Sequence, residues 1–165
     1  ASIAPLDRLT PLQAKAGSML SKLMDALDYV GVMAMECFRV GDQLLINELA
    51  PRVHNSGHWT QAGASISQFE NHMRAVAGLP LAAAKIKNQS MMVNLIGVPV
   101  DYNWLSIPSL ELYWYKKEVR VGRKVGHLNF CNGDNEVLLQ ALSKLKALPA
   151  PYDKALTWLS NQLAN

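Results

Sequence analysis

Two short apolar runs on either side of a turn constrain this chain more than anything else in it. Val30 to Phe38 and Leu44 to Leu49 flank Arg39-Val40-Gly41-Asp42-Gln43. Each run is shorter than an ordinary helix and bounded by turn residues, which predicts two buried strands joined as a hairpin. Each run also carries a carboxylate, Glu36 in the first and Glu48 in the second. A charge among apolar neighbours is costly unless it is paired or bound to metal. With Gly41-Asp42-Gln43 as a three-residue loop, Val40 faces Leu44, Phe38 faces Ile46 and Glu36 faces Glu48. The two carboxylates then share one side of the hairpin with Cβ atoms about 5 Å apart. Like charges so opposed call for a cation between them, and hard oxygen ligands of this kind suit Mg²⁺. Two arrangements need no metal: Glu36 at a solvent-facing sheet edge, or Glu36 paired with a basic side chain. A two-residue loop would place the carboxylates on different faces.

The rest of the chain reads as an α/β (α+β) protein. Thr10-Pro11-Leu12-Gln13 resembles a helix start, with Thr10 as N-cap, Pro11 at the first helical position and Gln13 closing a capping box. Leu12, Ala16, Met19, Leu20, Leu23, Met24 and Leu27 recur at helical spacing and predict an amphipathic helix over 11–28. Residues 50–63 are rich in Pro, Asn, Ser, Gly and His and predict a long loop. Ser65-Ile66-Ser67-Gln68 offers a second capping box ahead of a helix over 66–77, ended by Gly78-Leu79-Pro80. Residues 81–89 read as a linker. Short strands follow at Met91–Ile96, Leu110–Tyr115 and Lys124–Phe130, then helices over 134–147 and 152–163 with Pro149 and Pro151 between them. The expected organisation is an α/β piece over 1–80 and a small β-rich piece with terminal helices over 81–165.

Composition excludes several classes. Half of the 165 residues are hydrophobic and 18% are charged, which suits a folded core and not disorder. No apolar run reaches the ~18 residues of a membrane span, so no membrane is expected. Ala1-Ser2-Ile3-Ala4-Pro5 is loop-like and lacks the basic and apolar regions of a secretory leader. Cys37 and Cys131 make no disulfide framework, so a reducing cytoplasm is the expected compartment. A net charge of +3 is too mild to imply nucleic acid. A first residue of Ala, without Met, fits processing or truncation.

Chemistry-bearing residues follow the second carboxylate directly, in Asn47-Glu48-Leu49-Ala50-Pro51-Arg52-Val53-His54-Asn55-Ser56-Gly57-His58-Trp59. Arg52 can clamp an oxyanion bidentately, and His54 and Asn55 can orient a small planar anion. Zinc on His54, His58 and Cys37 is disfavoured, because the four-residue His spacing works best on a helix and this segment has loop chemistry. Packing beneath the next helix accounts for His58-Trp59. A second cluster gathers Lys116, Lys117, Arg120, Arg123 and Lys124 against Glu118 alone, with Gly122 allowing close backbone approach to an anion. That composition suits a phosphate monoester, and equally a solvated basic turn.

Together, Tyr29-Val30-Gly31-Val32-Met33-Ala34-Met35-Glu36-Cys37-Phe38, the stretch from Ile46 to Thr60, and Lys117-Glu118-Val119-Arg120-Val121-Gly122-Arg123-Lys124-Val125-Gly126-His127 closely resemble the carboxyaminoimidazole ribonucleotide synthetases. These are ATP-grasp ligases of purine biosynthesis, and the resemblance runs over essentially the whole chain. It implies that Glu36 and Glu48 hold Mg²⁺ against ATP phosphates, with Asn47 in the nucleotide-binding stretch. Arg52 would meet bicarbonate, and His54 and Asn55 carboxyphosphate or aminoimidazole ribonucleotide. Lys116, Lys117, Arg120, Arg123 and Lys124 would hold the ribose phosphate. Where many ATP-grasp enzymes have an Asn metal ligand two residues after the second Glu, this chain has Ala50, so a third ligand comes from elsewhere or is water. The family usually has Pro at the Val121 position.

The resemblance also implies what is missing: an N-terminal domain and a lid carrying a glycine-rich loop and the adenine contacts. The expectation is the C-terminal half of an ATP-grasp domain followed by the small C-terminal domain, inactive alone and homodimeric in the family. A formate-activating ATP-grasp purine ligase, or a non-catalytic nucleotide- or metal-binding module, are the alternatives.

Overall fold

The computed structural model describes residues 1–145, 148 and 152–164. In chain order the strands are β1 (Ser2–Ala4), β2 (Ala34–Val40), β3 (Gln43–Ala50), β4 (Gln89–Ile96), β5 (Leu110–Trp114) and β6 (Lys124–Asn132). The helices are α1 (Thr10–Ala26), α2 (Thr60–Gly63), α3 (Gln68–Val76), α4 (Asn135–Ser143) and α5 (Tyr152–Ala164). They fall into two units. A sheet unit comprises Ala1–Pro5, Trp59–Ser65 and Lys85–Asn165, and a hairpin unit comprises Leu6–His58 and Ile66–Ala84. No helix among the described residues is long and apolar enough to cross a membrane.

The sheet unit is built on an antiparallel sheet of order β1-β4-β6-β5. Alternation sorts its two faces. Met91, Val93 and Leu95 of β4 and Leu128 and Phe130 of β6 belong to one apolar core with Leu138 and Leu142 of α4 and Leu156 and Leu159 of α5. The other face of β4 and β6 carries the buried polar residues Ser90, His127 and Asn129. There α2 packs, with Gly63 close against the Ser90 side chain. Asp134 caps α4 by accepting from the Glu136 amide at 2.9 Å.

In the hairpin unit β2 pairs antiparallel with β3. Leu12, Ala16, Met19, Leu20, Leu23 and Met24 of α1 are half-buried in the phase that their spacing predicts, while Leu27 is exposed. Among the described residues of this unit only Met33 and Ala50 are buried apolar side chains.

Several expectations need correction. Residues 2–4 are a strand, not a loop; three residues are too few to show a period, and the partner, β4, lies far along the chain. Thr10 opens α1 instead of capping it, because a 3-10 turn over Asp7–Leu9 runs straight into the helix. The cap of α3 is Ser67, whose hydroxyl accepts from the Glu70 amide at 3.2 Å, and Ser65 accepts instead from the Lys85 amide at 2.9 Å. The long loop over 50–63 contains a 3-10 turn at Asn55–Gly57 and the single helical turn α2. The first strand of the hairpin starts at Ala34, four residues later than expected, and runs on to Val40. The end of the expected helix at 146–147, and Pro149 and Pro151, lie outside the described residues.

Candidate active site

The carboxylate pair depends on a compensation. The hairpin turns on two residues, Gly41 and Asp42, with Val40 opposite Gln43 and Phe38 opposite Leu45, so the three-residue loop is not formed. Gly41 has φ +59°, the positive φ that a two-residue turn demands at its first central position. Continued unbroken, that register would set Glu36 against Asn47. A bulge intervenes: Cys37 faces Ile46, Asn47 is the extra residue, and Glu36 faces Glu48 directly. The expected opposition therefore exists, reached by a shorter turn and one inserted residue.

Neither carboxylate is buried as its apolar neighbours suggested. The side chains of Glu36 and Glu48 are 40% and 50% exposed. Each has a basic group nearby. Arg52 Nη2 lies 3.9 Å from Glu48 Oε1, and its Nη1 donates to the Val53 carbonyl at 3.1 Å. His54 Nδ1 lies 3.6 Å from Glu36 Oε1, but that nitrogen is engaged by Ser56, whose amide donates to it at 3.3 Å and whose hydroxyl sits at 2.8 Å. An acceptor Nδ1 leaves the proton of the neutral ring on Nε2. Ion pairs this exposed add little stability, so the cluster is organised for something other than holding the hairpin together.

Gln68 fixes the loop. Its Oε1 accepts from the His54 amide at 2.9 Å, and its Nε2 donates to the His54 carbonyl and to His58 Nδ1, both at 2.8 Å. A Cβ at Gly57 would fall 2.5 Å from Gln68 Oε1, so a side chain there would push the Gln68 amide out of its place. The sequence reading assigned Gln68 to a capping box; its only sequence signal, the spacing from Ser65, pointed to the wrong partner. His58 packs against Phe69 with ring centroids 5.1 Å apart and the rings tilted by 38°, the structural role expected for it. It is thereby lost to a zinc site with His54 and Cys37. Among the described residues no group of three His, Cys, Asp or Glu could hold a metal ion. Two opposed carboxylates nonetheless suit a hard cation that takes its remaining ligands from water and phosphate. Asn47 is the bulged residue, and Asn55 begins the 3-10 turn.

The second cluster belongs to the sheet unit, between β5 and β6. Arg123 donates its amide to the Arg120 carbonyl at 3.0 Å, and Gly122 has φ +75°. Lys116 also has positive φ, +54°, uncommon for a side chain with a Cβ. Arg120 places Nη2 and Nε at 2.6 and 3.0 Å from one oxygen of Glu118, so its charge is already matched. Lys117 and Lys124 bring their ammonium groups 5.3 and 5.6 Å from the centroid of the Tyr115 ring, within cation–π range. Burial, and then the charge of Lys117, pull the Lys124 ammonium down to about 8. Tyr115 was not singled out by sequence reasoning. Neither was buried His127, which meets the Tyr115 hydroxyl at 2.6 Å through Nδ1 and Gln61 Oε1 at 3.0 Å through Nε2.

Comparison with known proteins matches both units. Residues 1–69 match the ATP-grasp domain family, and residues 90–141 match the phosphoribosylaminoimidazole carboxylase C-terminal domain family. The chain is 57% identical over 152 residues to N5-carboxyaminoimidazole ribonucleotide synthase of Haemophilus influenzae, covering 92% of this chain and 42% of that protein. The crystal structure of N5-carboxyaminoimidazole ribonucleotide synthetase from Thermus thermophilus superposes with a TM-score of 0.85 at 49% identity, over 90% of this chain and 42% of that one. The Aspergillus clavatus synthase in complex with ADP and 5-aminoimidazole ribonucleotide superposes with a TM-score of 0.75 at 30% identity, over 94% and 43%. The chain thus spans well under half the length of these relatives. With a carboxylate pair set by a bulge in its ATP-grasp part and a basic turn in its C-terminal-domain part, this chain belongs to the N5-carboxyaminoimidazole ribonucleotide synthetase family.

Proposed function

We propose that the protein to which these residues belong carboxylates 5-aminoimidazole ribonucleotide with bicarbonate at the expense of ATP, through carboxyphosphate, in cytoplasmic purine biosynthesis. The observation that carries this reading is the direct opposition of Glu36 and Glu48, with Arg52 beside one carboxylate and His54 beside the other. Glu36 and Glu48 are the residues to hold Mg²⁺, and Asn47 at the bulge belongs with the nucleotide contacts. Mg²⁺ bound there supplies neutralisation of the ATP phosphates. Arg52 has a guanidinium more than half exposed, able to leave Glu48 for the oxyanion of bicarbonate or carboxyphosphate. His54 offers an Nε2–H donor on a backbone clamped by Gln68, and Asn55 lies next to it. These groups position and neutralise without a covalent step, as phosphoryl transfer requires.

The ribose phosphate falls to the basic turn. Lys117, Lys124 and Arg123 are its main contacts, with Lys116 and Arg120 at its edge. The Aspergillus relative crystallised with ADP and this ribonucleotide supports both ligands. We place the division between the ATP-grasp part and the C-terminal domain at 80/81 and expect a homodimer of the whole enzyme. The 165 residues alone should turn nothing over, because the relatives are more than twice as long.

The test grafts this chain in place of the 152 matched residues of the Haemophilus influenzae synthase and measures ADP release. Release should require both bicarbonate and aminoimidazole ribonucleotide. It should fall by on the order of 100-fold or more in Glu48→Gln, the scale of losing one preorganised electrostatic partner, with the melting temperature unchanged. Release that follows formate instead would transfer the chain to a formate-activating ligase. ADP release by the 165-residue chain itself would overturn the account of its incompleteness.

A further inference from the structure

His127 is 2% exposed, and both its ring nitrogens are used inside the sheet unit. Gln61 Oε1 can only accept, so Nε2 carries the proton and donates to it. Nδ1 is then the acceptor, and the Tyr115 hydroxyl donates to it at 2.6 Å. The Tyr113 ring stacks on the imidazole at 4.6 Å, nearly parallel, and the Tyr113 hydroxyl donates to Glu111 Oε2 at 2.6 Å. The imidazole is thus held on its face and at both nitrogens. What it fixes in turn is Tyr115, whose ring is the shared neighbour of the Lys117 and Lys124 ammonium groups. Two like charges brought to one ring repel each other. A dianion between them would remove that repulsion, provided the ring holds both side chains in place before the anion arrives.

We propose that Tyr115, anchored through its hydroxyl by the buried His127–Gln61 pair, is the positioning residue of the phosphate-monoester site. On this view it sets Lys117 and Lys124 without touching the phosphate. The proposal rests on the reading that the basic turn takes the ribose phosphate. It adds that the affinity of that turn is set by an aromatic ring and a buried histidine, and not by the number of cations in the loop. Gln61 stands three residues beyond His58 in the sequence, and its amide is the far end of the anchor.

The experiment titrates the 165-residue chain with ribose 5-phosphate, using ribose as the control, and follows the amide resonances. Lys117→Met and Lys124→Met should each weaken binding. Tyr115→Phe keeps the ring and loses the anchor, and should weaken it about three- to tenfold, the worth of one hydrogen bond. A merely structural tyrosine would not move the pH profile. In the unaltered chain affinity should fall as pH rises through about 8, where Lys124 loses its proton beside Lys117 and the Ala1 amine. In Tyr115→Phe that fall should move upward toward the ordinary lysine range. Should Tyr115→Phe not fold, Gln61→Leu removes the acceptor at the far end and should weaken binding in the same sense, while Gln61→Glu keeps it and should restore affinity. Lysine variants that lose affinity beside a Tyr115→Phe or Gln61→Leu variant with unaltered affinity and pH profile would overturn the positioning role and leave the phosphate site standing. Lysine variants that bind as the unaltered chain does, or an unaltered chain that does not bind, would remove the phosphate reading itself and the proposal with it.

Discussion

Phe130 and Phe38 are both strand phenylalanines with apolar neighbours, yet Phe130 is fully buried and Phe38 is 61% exposed. The contrast runs through the two units. In the sheet unit β4 and β6 are covered on both faces, by α4 and α5 on one and α2 on the other, and their apolar residues form one contiguous core. In the hairpin unit Phe38, Val40, Leu45 and Ile46 lie at the surface of a two-stranded ribbon. Apolar pattern records which residues are meant to be covered, and burial records which of them have found a cover. A two-stranded hairpin is marginal by itself. The unit with the carboxylate chemistry is therefore the one with the least core of its own, and the unit with the basic turn is the one that can hold its geometry unaided.

The largest expected effect tests that difference directly. Phe130→Ala should cost about 3–5 kcal/mol, the range for emptying a packed aromatic site, read as a loss of midpoint in denaturant. Leu45→Ala, half-exposed on the ribbon, should change stability by less than about 0.5 kcal/mol. A comparable loss at both sites would mean that the hairpin has a cover in solution that these 165 residues supply between copies.

Next in size is the clamp at His54. Gln68→Ala removes three hydrogen bonds at once, taking a partner from the His54 amide and from His58 Nδ1, while the His54 carbonyl keeps the Gly57 amide as a donor at 3.0 Å. The cost should be about 1–3 kcal/mol of local stability, seen as faster hydrogen exchange at the His54 amide while β4 and β6 amides are unaffected. Gln68→Glu sharpens the point, since it keeps the acceptor for the His54 amide and loses both donors. Exchange that speeds equally in the sheet unit would break the separation between the two units.

These side chains also mark where the sequence could be read and where it could not. The hairpin was legible because its two apolar runs are bounded by turn residues, and the α1 stripe because Leu12 through Met24 keep a helical period. Turn length was not, since Gly41 permits a two-residue turn as readily as a three-residue one. The opposition of Glu36 and Glu48 was reached through the wrong register, because a bulge at Asn47 leaves no mark on alternation. Gln68 and the Tyr115–His127–Gln61 chain were missed for a common reason. Their partners are 10 to 66 positions away, and a hydrogen bond across that distance has no periodic signature. Of the candidate sites, the residue types stood out in one dimension, while the groups that hold them still became visible only in the fold.

The smallest effect is a pH dependence confined to the sheet unit. Lys124, with its folded-state value near 8 against an ordinary 10.5, sheds its proton on folding between those limits. The unfolded chain binds more protons there, so stability should rise with pH across that window. Below 8 the Ala1 amine, lowered by burial and by Lys124, acts in the same sense, which is why the rise attributable to Lys124 starts at 8. Tyrosines act oppositely. Tyr113 is raised by burial and then by its bond to Glu111 and that residue's charge, and Tyr115 is raised by burial. Above 10 the unfolded chain releases phenol protons that the folded chain keeps, and stability falls. Stability should therefore climb from about 8 to a maximum near 10 and fall beyond it, measured by denaturant melts of the sheet unit across pH 7 to 11. Lys124→Met should erase the rise and leave the fall. A flat profile below 10 in the unaltered chain would mean that the Lys124 ammonium reaches water freely, and so that the Tyr115 ring does not hold it where the phosphate site needs it.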